Sequence, residues 1–78
     1  MPYNLFIAYD LIPPGQNYEA VRQRLRELGQ WHQFQYSLFY VNTMLTPQEA
    51  YNAVIEVMDA GDKLAVIDAR GGVVSTGD

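Results

Sequence analysis

Asp10 is the residue best placed for chemistry. It closes an alternating apolar run, Tyr3-Asn4-Leu5-Phe6-Ile7-Ala8-Tyr9-Asp10. Small α/β domains put reactive carboxylates at the mouth of a buried first strand. They also end strands there. In that second role Asp10 accepts hydrogen bonds from loop amides near Gly15 to Asn17 and orders the turn that follows. A lone carboxylate does not by itself choose between the two.

The other candidates are weaker. Ser37 opens a second strand-like run that continues to Thr43, but no nucleophile-elbow pattern surrounds it. His32 is the single histidine, beside Trp31. A catalytic base wants an orienting partner and zinc wants a cluster of ligands, and the sequence displays neither. Arg22 and Arg26 lie four apart and share a helix face, whereas Arg24 points elsewhere. Glu19 and Glu27 can pair with them, so a solvated face of mixed charge is expected. Trp31, Phe34 and Tyr36 could stack bases, as sheet aromatics do in RNA-binding domains. The basic residues that accompany such platforms are missing, which favours packing in the core or a dimer. Asp59, Asp62 and Asp68 lack calcium-loop spacing, and the first two read as turn residues.

Size limits what can hold these residues in place. The chain has 78 residues and reads as a single domain, residues 1–78. A domain this small buries only about 60–65% of its unfolded surface. Without cysteine, neither a disulfide nor a thiolate metal site can reinforce it. Ten aromatic residues, six of them Tyr, are a large apolar load for one small monomer. Oligomerisation is the usual remedy. The net charge of −4 argues against non-specific nucleic-acid binding, which depends on Lys and Arg at phosphates. No basic stretch precedes an apolar run at the N-terminus, and Leu5 to Ala8 is too short to cross a membrane. A cytoplasmic protein with no membrane partner is expected.

The elements follow from periodicity. Residues 3–10 form a first strand, with Leu5, Ile7 and Tyr9 on one side and Phe6, Ala8 and Asp10 on the other. Both sets are largely apolar, so the strand should be central and covered on both faces. Residues 11–16 form a loop, broken by two prolines and a glycine. A helix runs from Tyr18 to Leu28, with Asn17 as its N-cap, Gly29 as its stop and an apolar stripe of Tyr18, Val21, Leu25 and Leu28. Strands over 30–34 and 37–43 form a hairpin. A second helix starts with Thr46 as N-cap, Pro47 and Glu49 in a capping box. Its stripe is Ala50, Val54, Val57 and Met58, and Gly61 ends it. Residues 63–69 form the fourth strand. Val73-Val74-Ser75 reads as a short fifth strand or a tail.

The order β-α-β-β-α-β predicts an α+β ferredoxin-like sandwich, one antiparallel sheet with two helices on a single face. The first and third strands should be central. Phe6, Ala8 and one set from the third strand then line an open face. An apolar face of a few hundred Å² marks an interaction surface. A homodimer, face to face or edge to edge, is expected from it.

In this pattern the chain resembles the superfamily of the CRISPR-associated protein Cas-two and the VapD toxins. It is most similar to the small SinR-like proteins. The matching residues are Ile7-Ala8-Tyr9-Asp10-Leu11, Leu28-Gly29 with Trp31, Gln35-Tyr36-Ser37-Leu38-Phe39, and Gly61-Asp62-Lys63-Leu64-Ala65-Val66-Ile67. The resemblance implies a ferredoxin-like homodimer. It also implies that Asp10 of two copies meet at the interface and hold Mg²⁺ as the cofactor of a metal-dependent nuclease. Such an ion often keeps several waters and uses one or two protein carboxylates. Its bound water would attack a phosphodiester. By the same resemblance Ser37 and Phe39 carry the third-strand motif. The candidate site is then Asp10 for catalysis and metal, with Tyr9, Ser37, Phe39 and Trp31 for binding. The loop after Asp10 has no basic residue, where Cas-two proteins usually have several. Its absence and the acidic charge favour a dimeric interaction module without strong catalysis. The alternatives are the Asp10 nuclease and an RNA-binding sheet built on Trp31, Tyr36 and Tyr40.

Overall fold

The computed structural model of the chain describes residues 2–12 and 17–70. It is an α+β fold with one four-stranded sheet and two helices. The elements are β1 (Tyr3–Asp10), α1 (Tyr18–Leu28), β2 (Gln30–Gln35), β3 (Leu38–Thr43), α2 (Pro47–Ile55) and β4 (Lys63–Asp68). The strands lie in the order β2-β3-β1-β4, and every neighbouring pair is antiparallel. This arrangement is compatible with a ferredoxin-like class. The stretch around Val73 lies outside the described residues.

Alternation decides the two sides of the sheet. Leu5, Ile7 and Tyr9 of β1 are buried, together with Phe39 and Val41 of β3. Val21 and Leu25 of α1 and Ala50 and Val54 of α2 join the same cluster. Both helices therefore cover the same face. The second set of β1 behaves differently from expectation: Phe6 and Ala8 are only half-buried and Asp10 is exposed. β1 is central but fully covered on one face only, because no element crosses the other face among the described residues.

The helix ends differ in chemistry. In α2 the capping box is complete: Glu49 N donates to Thr46 Oγ1 at 3.2 Å, and Thr46 N donates to Glu49 Oε1 at 2.9 Å. Asn17 does not cap α1 with its side chain; its carbonyl takes the first helical bond, from Val21 N, at 3.1 Å. Glu19 in the first turn and Arg26 in the last suit the helix dipole. α2 ends at Ile55 and does not continue to Gly61. Val57 N and Met58 N bond three residues back, to Val54 and Ile55 carbonyls, and this tighter turn keeps both side chains against the core. Gly61, with φ of 93°, instead shapes the turn into β4.

Two features seat the β2–β3 hairpin. Gly29 lies so close to β3 that a Cβ there would collide with the Asn42 carbonyl oxygen. The link at Tyr36 and Ser37 is a two-residue turn, with a bulge between Gln33 and Gln35. Ser37 is therefore a turn residue and not the first of a strand.

Candidate functional site

Asp10 is exposed at the end of β1, paired in register with Lys63 of β4. A concavity of about 270 Å³ lies beside them, lined by Ala8, Tyr9, Asp10, Lys63, Leu64 and Ala65. A larger one, about 490 Å³, sits around Leu28, Gln30, Asn42 and Met44. It is far from Asp10 and gathers no ionisable cluster. Among the described residues no group of three or more His, Asp or Glu side chains converges. One copy thus offers a cation at Asp10 a single carboxylate, with an ammonium on the neighbouring strand. Mg²⁺ often keeps several waters beside one or two protein carboxylates, and each copy supplies one such ligand here.

The loop-ordering role expected for Asp10 belongs in part to Asp62. Its Oδ1 accepts from Ile12 N at 2.8 Å and its Oδ2 from Asp59 N at 2.8 Å. One carboxylate therefore ties the exit of β1 to the turn entering β4. Sequence reasoning treated Asp62 as a generic turn residue. The usable signal was the spacing Asp59-Ala60-Gly61-Asp62, which lets the side chain reach back to an amide three residues earlier.

Tyr9 and Phe39 are core residues. Phe39 is fully buried, and the two rings lie 6.3 Å apart. Tyr9 donates its hydroxyl to the Tyr36 carbonyl at 3.2 Å, and its backbone N–H donates to the Ser37 carbonyl at 3.1 Å. Burial pushes the Tyr9 phenol up, against the opposing pull of Arg22. These contacts brace the turn and leave neither ring a surface for a ligand.

Trp31 and Tyr36 are exposed, 45% and 62%, on the helix side of β2 and at the hairpin turn. Arg26 lies over the Trp31 ring at 5.3 Å and Arg22 over Tyr36 at 5.6 Å. Arg22 Nη1 and Arg26 Nε are buried without an oxygen acceptor. The negative ring faces stand in for one. Glu19 holds both guanidinium groups, at 2.8 Å and 3.8 Å, and the bond from Arg22 lowers the Glu19 carboxyl. Arg24 turns toward α2 and bonds Glu56 at 2.9 Å. The arginine stripe is thus internally paired, and a ring face of each aromatic is already occupied.

Tyr40 stands on the opposite side of the sheet. Trp31, Tyr36 and Tyr40 do not form one platform. Tyr40 belongs to the open face, where Phe6 lies 5.6 Å from Phe34 and 6.0 Å from Tyr40. Leu38, Ala8, Ala65 and Ile67 extend this apolar surface across the strands, and Ile67 is 54% exposed. His32 meets Phe34 edge-on at 4.6 Å. Asn4 Oδ1 anchors one end, accepting from Tyr40 Oη at 2.6 Å and from Asn42 Nδ2 at 2.8 Å. That polar network was missed, although an Asn amid the apolar residues of β1 was its signal.

No family model matches the chain, and no curated protein matches it. No described helix is long and apolar enough to cross a membrane.

Proposed function

We propose that this chain is a ferredoxin-like sandwich of the Cas-two-like superfamily, near its SinR-like branch, and that it acts as a cytoplasmic homodimeric interaction module. The open sheet face carries this reading. It sets Phe6, Phe34, Leu38, Tyr40 and Ile67 side by side, with no helix over them among the described residues. Four strands about 4.8 Å apart and six residues long span roughly 400 Å² in projection. Two such faces together bury roughly 800 Å², below the ~1,200 Å² at which stable interfaces begin and within the range of weak, transient ones. The dimer is therefore reversible, and sedimentation velocity over a concentration series should show monomer and dimer in exchange. Ile67→Glu should leave the circular dichroism spectrum unchanged and the protein monomeric. A wild type that stays monomeric at the highest concentration would remove the reading.

One observation favours a second reading. Asp10 is exposed on this same face, in line with Phe6 and Ala8. Face-to-face pairing would bring two such carboxylates toward the interface, as a shared divalent cation requires. The interaction-module reading expects no cleavage of single- or double-stranded RNA or DNA with Mg²⁺ or Mn²⁺. Cleavage that EDTA stops and Asp10→Ala abolishes would instead establish the nuclease.

A further inference from the structure

We propose that His32 makes association through the open face depend on pH, with the dimer forming at neutral pH and parting as the imidazole gains a proton. The inference rests on the dimer reading above and names its regulation. His32 lies opposite Tyr40 in the sheet register and edge-on to Phe34, so it borders the apolar patch. It is exposed in the single copy, where water solvates either protonation state. A second sheet laid over the patch removes that water. A neutral imidazole tolerates this, whereas an imidazolium needs a carboxylate beside it to offset its lost hydration.

Within one copy the described residues of the face supply no carboxylate nearby. On β2, the neighbours of His32 are Trp31, Gln33 and Phe34. On β3, the Tyr40 hydroxyl donates to Asn4 Oδ1, and its oxygen remains a neutral acceptor with no charge to balance an imidazolium. Among the described residues, the other charged groups of this face are Asp10 on β1 and Lys63 on β4, side by side at its far end. Asp10 is four residues and two strands from the His32 row, about 16 Å by strand geometry, and beyond the screening length at physiological salt. No helix packs on this side among the described residues. The small area makes the effect visible, since a weak interface has little to spare for a stranded charge.

Sedimentation equilibrium of the full chain at about pH 7.5 and about pH 5.5, either side of the imidazole range, tests this. Circular dichroism at both values checks that the fold persists. The wild-type dissociation constant should rise roughly tenfold or more at the lower pH. His32→Gln and His32→Phe should each flatten that response. A wild-type dimer equally tight at both values overturns this inference alone. A dimer that tightens in acid also overturns it, and points to the partner's Asp10 beside the imidazolium. A pH response that survives in both variants assigns the effect elsewhere and overturns it too. A monomer at both values removes the dimer reading and this inference with it.

Discussion

Phe39 shows what a single side chain contributes here. Its ring is fully buried and touches the aromatic set from two sides, 5.9 Å from Trp31 and 6.3 Å from Tyr9. Truncation leaves a cavity in the middle of β3. Phe39→Ala should cost about 3–5 kcal/mol in urea denaturation. Domains of this length hold about 4–12 kcal/mol in total, so the variant should be largely unfolded at modest temperature. A loss below about 1 kcal/mol would mean that the ring is not a core residue. The resemblance nominated Phe39 for binding, because strand motifs do not reveal which side of a sheet a residue faces. Its alternation partner Val41 is the better guide: the two share the helix side with Leu5 and Ile7.

At the scale of elements, Asp62 joins two segments that are fifty positions apart in sequence. Its two charge-assisted bonds are both short, and both amides would otherwise turn to water. Asp62→Ala should therefore cost about 1–3 kcal/mol, less where water replaces the bond. Asp10→Asn should change stability little by comparison, since Asp10 accepts no hydrogen bond from a described residue. Equal losses in the two variants, measured by thermal denaturation, would reverse the roles assigned here. The elements themselves were legible because their signals are local. The α1 stripe and the complete Thr46–Glu49 box each lie within one or two helical turns. The loop-tying carboxylate was illegible because its partner Ile12 is brought close only by the sheet. The end of α2 was misplaced for a related reason. Val57 and Met58 continue the apolar period, and periodicity alone does not separate a helical turn from the tighter turn that follows. The separation of Trp31 from Tyr40 was readable in principle from their register, but the bulge between Gln33 and Gln35 hides it from simple counting.

At the scale of the whole sheet, one face lies under two helices and the other is without cover among the described residues. The helix-covered side holds the buried cluster that folds the chain. The other side is apolar at its centre and polar at its ends, with the Asn4 network at one and Asp10 with Lys63 at the other. Folding and the proposed association would therefore draw on different surfaces. Under the proposed dimer, the melting temperature of the wild type should rise with concentration, as mass action requires of a protein stabilised by its own second copy. Ile67→Glu should remove that dependence while leaving the dilute melting temperature nearly unchanged.

The bulge beside Phe34 has a consequence for the rim of the sheet. An open strand edge is a template for another chain, and regular edges invite endless addition. On β2 the bulge breaks the even spacing of amides and carbonyls and adds local twist. The neighbouring Arg22 and Arg26 place charge along the same margin. β4 has no such interruption. Among the described residues, then, the sheet has one spoiled margin and one regular margin, so a strand added from another chain would find regular spacing on a single side.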